Sequence, residues 1–278
     1  CEGLVGSEMC IRDRYLNMNK LLITVLILTT SMGFSQDSEW TYLFDGSSLD
    51  GWHQYKSEKI SEAWYIENDE LVLNSQNDNI SRGNDILYEK EFTDFELSLE
   101  WKIPRGGNSG VFFNVVEIEG ADNPWNTGPE IQILDNDYFF DTSQQDLLEY
   151  LKKFDGKNEK LTNYHKAPAL YGLKPIGEIR YNPHGEWNHL VLRVDNKKNE
   201  GSITLNGQYV YSFPLYGKEW DKLISRSKFN SDNYFNGLSP DHIFSLYAPY
   251  FGKFQSGKIG LQDHGWNVRF RNIKIKEL

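Results

Sequence analysis

The sequence has very little sulfur and few cationic residues. Its 278 residues include two Cys and three Met, and all five of these lie within the first 32 residues. The rest of the chain therefore has neither a disulfide framework nor a Cys-pair metal motif. Only 29 Lys and Arg stand against 40 Asp and Glu, which gives a net charge of −11. This acidity argues against a nucleic-acid partner, because phosphate backbones attract an excess of positive charge.

Several chemical motifs are also missing. The chain contains no Gly-x-Ser-x-Gly elbow, no Walker loop and no His-Glu-x-x-His, and its six His are scattered without the spacing of zinc ligands. No apolar run reaches the roughly 18 to 20 residues of a membrane span. The chain does contain 16 Tyr, 16 Phe and 8 Trp within a 39% hydrophobic composition. It can therefore bury a sizeable core, and we expect a folded globular protein.

The longest apolar run indicates export. From Met18 the sequence reads MNKLLITVLIL and continues through TTSMGFS. A short basic segment, an apolar segment and a small-x-small cleavage site make up a secretory signal, so residues 18–35 are predicted to be a signal peptide cleaved after Ser35. No Cys adjoins this site, which argues against a lipoprotein, and we expect a soluble periplasmic or secreted protein. Residues 1–17 do not suit a signal peptide, and we interpret them as a non-native or miscalled leader.

Alternation of apolar and polar residues with a period of two dominates the remaining chain. It is clearest in Phe95–Ile103. The other predicted strands are Trp40–Phe44, Leu71–Asn74, Gly110–Val116, Glu130–Leu134, His189–Asp195, Ser202–Leu205, Tyr209–Phe213, Gly257–Gln262 and Asn267–Lys276. One helix, Gln144–Phe154, is predicted inside a long polar insertion, Asp135–Glu186. Short strands joined by Gly, Asn and Asp turns predict an all-β antiparallel sandwich or jelly roll, formed by a single domain over residues 37–278.

Two local features predict details of strand pairing. Asn206-Gly207 between two strands is typical of a type I′ hairpin, in which both central residues take positive φ. In the last strand, Val268 and Phe270 have one parity and the two following isoleucines have the other. A bulge near Arg271–Asn272 would keep all four side chains on the core face.

Polar residues at strand ends are the candidates for function. Arg105–Gly110 is rich in glycine, which suits either a tight turn or the close approach of the backbone to a ligand. On the strand after Trp125, alternation places Glu130 and Gln132 together on one face. Solvated surface is the simpler interpretation of this pair. A sugar-binding concavity beside the Trp125 ring is the alternative.

Gly260–Gly265 contains an acid–base candidate. His264 titrates near neutral pH and can shuttle protons, and it shares a face with Gln262. A structural hydrogen bond between Asp263 and His264 is the simpler interpretation. Asp263 and Asp135 also offer oxygen ligands, which leaves a divalent metal ion open.

The order and spacing of these segments resemble the 3-keto-disaccharide hydrolase domain family, which consists of concanavalin A-like lectin/glucanase sandwiches. The similarity covers nearly the whole mature length. Its motifs are LFDGSSLDGW from Leu43, RGGNSG from Arg105, GPEIQILDN from Gly128, ALY from Ala169, GEWN from Gly185, SKF from Ser227, GLQDHG from Gly260 and FRNIKI from Phe270. The chain departs from the family at Ala167–Gly172, where it reads APALYG and many relatives read AG(A/S)LYD.

The resemblance implies an enzyme that cleaves 3-keto-glycosides or 3-keto-disaccharides by elimination next to the ketone, followed by hydration. Such a site needs a base, a donor or metal at the ketone oxygen, and an acid for the leaving oxygen. From this chemistry and the positions of the motifs, we assign proton transfer to Glu130 or His264. The implied substrate-binding residues are Arg105, Asn108, Trp125, Gln132, Tyr171, Lys228, Gln262 and Asp263. A divalent metal ion is the one cofactor that this chemistry leaves open.

Of two other functions that this fold could serve, one remains in competition. A non-catalytic carbohydrate-binding, lectin-like domain on the same sandwich would bind glycans without turnover. A conventional β-glucanase of this fold would need a Glu-x-Asp-x-x-Glu strand, and the sequence contains none. The partner expected in either remaining case is a small carbohydrate.

Overall fold

The structure is a computed structural model that describes residues 39–75, 83–140, 163–230 and 248–278. These residues form two antiparallel β-sheets that share one hydrophobic core, which confirms the predicted all-β sandwich. The strands are β1 Thr41–Phe44, β2 Trp52–Gln54, β3 Trp64–Glu67, β4 Glu70–Leu73, β5 Ile86–Tyr88, β6 Phe95–Lys102, β7 Asn108–Val115, β8 Glu130–Leu134, β9 Asn188–Asp195, β10 Glu200–Leu205, β11 Gln208–Phe213, β12 Lys258–Leu261 and β13 Val268–Glu277. The helices are a 3₁₀ turn at Pro124–Asn126, α1 at Asn136–Phe140 and α2 at Lys218–Ser225.

The eight-stranded sheet runs in the order β11-β10-β9-β6-β13-β4-β3, and β1 pairs with the second half of β13. The five-stranded sheet runs β2-β5-β12-β7-β8. On β13 the register against β6 shifts between Arg271 and Lys274, and Asn272 has a φ of 52°. This bulge confirms the prediction, because Phe270 before it and Ile273 after it are both fully buried.

The alternation read from the sequence builds the core. Phe95, Leu97, Leu99 and Trp101 of β6 are at most 1% exposed, and they belong to the same cluster as Val111 and other residues of the five-stranded sheet. At the predicted hairpin, Asn206 and Gly207 have φ values of 50° and 77°, which confirms the turn. Burial on alternate positions thus sets which face of each strand is turned toward the other sheet.

All ten predicted strands are present, but six short elements lack a prediction. These are β2, β3, β5, the 3₁₀ turn and helices α1 and α2. Trp220 anchors α2, because it is buried and its indole nitrogen donates to the carbonyl of Gly252 at 2.7 Å. The predicted helix Gln144–Phe154 and residues 1–38 lie outside the described residues. No helix in the described part of the chain is long and apolar enough to cross a membrane.

Candidate active site

One face of the five-stranded sheet packs on the core, and its other face, called the outer face here, carries a row of polar side chains. Gln132 on β8 pairs with Gly110 on β7. Just past β12, the main-chain nitrogen of Gln262 donates to the carbonyl of Gly110 at 3.0 Å. The pairing of β5 with β12 places Asp85 beside Gln262. Residues in or next to four strands therefore lie in one row across the outer face.

The simpler interpretation of Glu130 and Gln132, a solvated surface, is wrong. Their side chains lie in a covered part of the outer face, where they are 5% and 4% exposed. The main-chain nitrogen of Gln132 donates to Ala169 at 3.0 Å, and that of Tyr171 donates to Glu130 at 2.9 Å. These bonds hold the inserted segment against the edge of β8, so the insertion buries residues that alternation alone would leave exposed.

The Glu130 carboxylate lies over Gly110. A Cβ added at Gly110 would be 2.6 Å from Cδ of Glu130, so no larger residue fits there without displacing the carboxylate. Burial raises the pKa of Glu130 to about 8; the positive charge of Lys228 opposes this rise, while the carboxylate of Asp85 adds to it. A hydrogen bond from Gln262 favours the ionised form. Glu130 can therefore gain or lose a proton near neutral pH.

Lys228 and Tyr171 lie next to this carboxylate. Lys228 is only 4% exposed, and its Nζ donates to the hydroxyl of Tyr171 at 2.7 Å. Its position is supported by Phe229, whose ring stacks on Phe251 with centroids 4.0 Å apart. A buried ammonium group is costly unless it is paired, and here it faces a hydroxyl and an ionisable carboxyl. The pair offers a positive charge and a hydroxyl to a developing oxyanion.

Asn108 connects Gln132 with His264. Nε2 of Gln132 donates to Oδ1 of Asn108 at 3.4 Å, and Nδ2 of Asn108 lies 3.2 Å from Nδ1 of His264. An amide nitrogen can only donate, so Nδ1 is the acceptor and a neutral His264 carries its proton on Nε2. The structure thus brings together the three residues that the sequence placed on separate motifs.

Asp263 holds the turn that follows β12. Its Oδ2 accepts bonds from the main-chain and side-chain nitrogens of Asn84 at 3.0 and 2.9 Å, and its Oδ1 accepts from the nitrogen of Gly265 at 2.9 Å. In turn its own nitrogen donates to Oδ1 of Asp85 at 2.7 Å. Both oxygens of Asp263 are thus bonded within the protein, and the residue fixes the Gly265 turn against the strand that follows Asp85.

Trp125 and Arg105 lie at the margins of the polar row. Trp125 packs against a second apolar cluster of the outer face that includes Phe112, the cross-strand partner of Glu130. The exposed Arg105 has its guanidinium 4.9 Å from the ring centroid of Tyr138. Trp125 therefore lies against the cross-strand neighbour of Glu130, whereas Arg105 contacts the ring of Tyr138.

Asp135 has the same kind of structural partners as Asp263. Its Oδ2 accepts a bond from the nitrogen of Gly106 at 2.9 Å and lies 3.3 Å from Nδ1 of His184. Within residues 39–75, 83–140, 163–230 and 248–278, no group of three or more His, Cys, Asp or Glu is arranged to hold a metal ion. The two aspartates offered as oxygen ligands thus each bind main-chain amides.

Two residues near the site were missed by sequence reasoning. Asp85 precedes a strand of only three residues, and a strand of this length is too short to show an alternating pattern in the sequence. Asp85 and Leu87 are two residues apart, so their side chains are on the same face. Trp266 packs near Gly106, at the Arg105 end of the site. The only sequence signal for Trp266 was its place directly after the GLQDHG motif.

The arrangement suits proton transfer on an uncharged, polyhydroxylated ligand. It combines a buried carboxyl group with a raised pKa, three amide side chains, a histidine and a buried Lys–Tyr pair. Amides and hydroxyls bind sugar hydroxyls well, and a protein dipole or cation stabilises the charge that forms when a proton leaves carbon.

Comparison with known proteins gives consistent matches over the described domain. Residues 39–276 match the family described as "3-keto-alpha-glucoside-1,2-lyase-like domain". A protein from Bacteroides thetaiotaomicron named "3-keto-disaccharide hydrolase" is 30% identical over 249 residues, covering 85% of this chain and 77% of that protein.

Solved structures agree with the fold. A provisionally named glycosyl hydrolase from Parabacteroides distasonis superposes with a TM-score of 0.68 at 27% identity, covering 86% of this chain and 94% of that chain. A second protein of the same provisional name and organism gives a TM-score of 0.55 at 24% identity, covering 86% and 100% of the two chains, and this likeness supports the fold alone.

Proposed function

The chain belongs to the family of 3-keto-alpha-glucoside-1,2-lyase-like domains, and from this premise we propose that it cleaves the glycosidic bond of 3-keto-glycosides or 3-keto-disaccharides. The reaction is an elimination next to the ketone followed by hydration, with net hydrolysis as the result. A ketone at C3 makes the neighbouring C2 proton acidic. An enzyme of this kind therefore needs proton transfer and oxyanion stabilisation at the sugar ring.

The chemistry balances without an oxidant or reductant. A base takes the C2 proton, and the electron pair of the C–H bond forms an enolate whose charge lies on the C3 oxygen. The enolate collapses to the ketone with a C1–C2 double bond, the C1–O bond breaks, and the leaving oxygen takes a proton from an acid. Water then adds its hydroxyl to C1 and a proton returns to C2, which gives the 3-keto sugar and a free alcohol.

The residues of the outer face divide these tasks. Glu130 and His264 are the proton-transfer candidates, and the amides of Asn108, Gln132 and Gln262 bind the ketone or the hydroxyls. The Lys228–Tyr171 pair, whose positive charge acts on Glu130, would stabilise the enolate oxygen. Trp125 at one margin and Arg105 at the other would contact the outer parts of the substrate, and Asp263 would act by holding the turn beside Gln262.

One observation carries the proposal most strongly. Glu130 is buried among polar side chains, its raised pKa lies near neutral pH, and its carboxyl group lies directly over Gly110. A carboxyl group with these properties suits acid–base catalysis better than passive glycan binding, since binding does not need a group that exchanges protons at neutral pH. The lectin-like alternative is therefore less well supported.

The direct test uses paired substrates. Purified protein should release the alcohol from a panel of 3-keto-glucosides and leave the corresponding unoxidised glucosides intact. Release should be followed by chromatography of both products. Binding of the keto-glycosides without release of alcohol from any of them would contradict the enzyme and favour a lectin-like domain.

Replacement of the central carboxyl group gives the first prediction. Glu130→Gln keeps the shape and the buried hydrogen bonds but cannot exchange a proton, so kcat should fall at least 100-fold. Glu96→Gln on the eight-stranded sheet is a matched control, because Glu96 is partly exposed and pairs with Arg193. Wild-type turnover by Glu130→Gln would exclude this residue from proton transfer.

Stability separates loss of chemistry from loss of fold in the same variant. Burial raises the folded-state pKa of Glu130 to about 8, above its unfolded value of 4.5, so the folded state holds a proton that the unfolded chain releases between these values. Stability attributable to Glu130 therefore falls as pH rises from about 4.5 to about 8. Glu130→Gln should remove this slope and have a Tm at pH 8 equal to or above that of the wild type.

We propose further that the protein is exported. The sequence of residues 18–35 supports a cleaved signal peptide, and residues 37–278 would then act as a single domain outside the cytoplasm.

A further inference from the structure

Asp85 lies on the opposite side of Gln262 from Glu130. The pairing of β5 with β12 places Asp85 beside Gln262, and the nitrogen of Gln262 bonds to Gly110, over which the carboxylate of Glu130 lies. Two buried carboxyl groups thus flank one amide side chain on the outer face. Their charges interact, since Asp85 raises the pKa of Glu130.

The Asp85 side chain is held in place by a hydrogen bond to the main chain. It is 7% exposed, and its Oδ1 accepts a hydrogen bond from the nitrogen of Asp263 at 2.7 Å. The neighbouring Oε1 of Gln262 is buried without a partner in the described part of the chain. A buried acceptor in this state is costly, so the amide oxygen of Gln262, between the two carboxyl groups, suits a ligand with hydroxyl donors.

We propose that Asp85 is a second catalytic carboxyl group, which exchanges the C2 proton of the sugar while Glu130 exchanges the proton of the leaving oxygen. This assignment rests on the proposed function. In the elimination, Oδ2 of Asp85 takes the C2 proton, and the carboxyl of Glu130 gives its proton to the departing oxygen. In the hydration, Glu130 takes a proton from water as the hydroxyl adds to C1, and Asp85 returns its proton to C2, so both groups end as they began.

His264 is less suited to the C2 proton. Its Nδ1 accepts a bond from Asn108, so the neutral ring carries its proton on Nε2 and has no free basic nitrogen. By contrast, a carboxylate oxygen of Asp85 can accept the C2 proton without any change of tautomer.

The charges around Asp85 agree with a basic role. Burial raises the pKa of Asp85 to about 7, and the nearby charge of Asp263 adds to this, while the bond from the Asp263 nitrogen favours ionisation. The other titratable groups facing it are Glu130 and Tyr55. Burial raises the pKa of both carboxyl groups into the neutral range, so one of them can be ionised while the other holds a proton.

The test separates the two proton transfers. A 3-keto C-glycoside has the acidic C2 proton but no leaving oxygen, so in D₂O the enzyme should exchange this proton for deuterium without cleavage. Asp85→Asn keeps an oxygen for the Asp263 nitrogen and removes the base. It should lose at least 100-fold in the rate of C2 exchange measured by NMR, whereas Glu130→Gln should retain exchange and lose the release of alcohol from a 3-keto-glucoside.

Further measurements distinguish catalysis from a structural role. For Asp85→Asn, kcat on the 3-keto-glucoside should fall at least 100-fold with KM within about threefold, and the fall of kcat/KM on the acidic side of pH 7 should disappear. Asp85→Glu should restore part of the exchange. Asp50→Asn, at an exposed position, is the matched control and should behave as wild type.

Each result has one meaning. Wild-type exchange by Asp85→Asn, or a loss of rate with the acidic limb intact, overturns the assignment. Exchange by the wild type without release of any alcohol from the glucoside panel overturns the proposed function and leaves Asp85 as the base for C2. A wild type that neither exchanges nor cleaves overturns both.

Discussion

Gly110 gives the Glu130 carboxylate its place on the outer face. The side chain of Glu130 crosses from β8 to β7 and occupies the space in which any other residue at position 110 would carry its Cβ. The backbone at Gly110 does not have positive φ, so alanine is sterically acceptable to the main chain itself. The glycine is therefore required by the neighbouring carboxyl group rather than by a turn.

Gly110→Ala should accordingly fold but lose activity. The end of a glutamate side chain can move, so we expect displacement of the carboxylate by about 1 Å, and misplacement of this size costs roughly 10- to 100-fold in kcat. Gly177→Ala is the matched control, because a Cβ added there meets nothing within 4 Å. Steady-state kinetics and a melting curve on both variants check the prediction; equal activity of Gly110→Ala and wild type would show that the position of Glu130 is not critical.

At the scale of elements, Glu117 connects β7 with β12 and β2 through hydrogen bonds. It lies beyond the apolar part of the outer face. It follows β7, and its Oε2 accepts bonds from Lys258 on β12 at 2.6 Å and from His53 on β2 at 2.9 Å. Its Oε1 accepts a bond from the nitrogen of Lys56 at 2.7 Å. Burial acts to raise the pKa of Glu117, but the bonds from Lys258, Lys56 and His53 outweigh it and hold the pKa at about 2.

This lowered pKa predicts how stability changes with acid. The folded-state pKa lies below the unfolded value of 4.5, so the stabilisation is fully present above about pH 4.5 and is lost as pH falls toward 2. Glu117→Gln should lower Tm at pH 7 by roughly 2 to 4 °C, which corresponds to about 1 kcal/mol in a chain of this size.

The gap in Tm between Glu117→Gln and the wild type should narrow as pH falls below about 4.5 and close near pH 2. Glu58 is an exposed glutamate that follows β2 in the chain, and Glu58→Gln serves as the control. This variant should have the same Tm as the wild type at every pH. Melting curves recorded from pH 2 to pH 7 provide the measurement. A gap that stays constant over this range would mean that the loss comes from packing rather than from charge.

Elements differ in how far their sequence predicts them. Strand β6 has eight residues of clear alternation, and one face of it has to be buried, so the sequence specifies both its type and its orientation. β5 has three residues and α2 has eight, and each is stabilised by partners distant in sequence, such as Gly252 for Trp220. Local pattern is too short in these elements to distinguish strand or helix from loop.

At the scale of the whole molecule, export can be tested on a chain that keeps residues 18–278. When the chain is expressed from Met18 in a Gram-negative host, the protein in the periplasmic fraction should begin at Gln36, which N-terminal sequencing determines. Leu26→Asp places a charge in the apolar segment and should keep the uncleaved protein in the cytoplasm. Periplasmic protein that retains residues 18–35 would contradict a cleaved signal peptide.

The candidate site was only partly predictable at this scale. Motif order indicated Glu130, Gln132, Gln262 and His264, because each lies in a segment typical of the family, and the structure brings these residues together on one face. Asp85 gave no signal of its own. Its place beside Gln262 follows from the pairing of β5 with β12, strands that are separated by about 170 residues of chain.

The sequence by itself determined the antiparallel sandwich, the bulge in β13 and the family, because alternation, turn residues and motif order are local properties of the chain. Only the tertiary structure decided which polar residues are buried. Alternation tells which face of a strand Glu130 is on, but not whether another segment covers that face. The inserted segment that contains Tyr171 and the buried Lys228 provide this cover, and by removing water they change Glu130 from a surface carboxylate into a group that ionises near neutral pH.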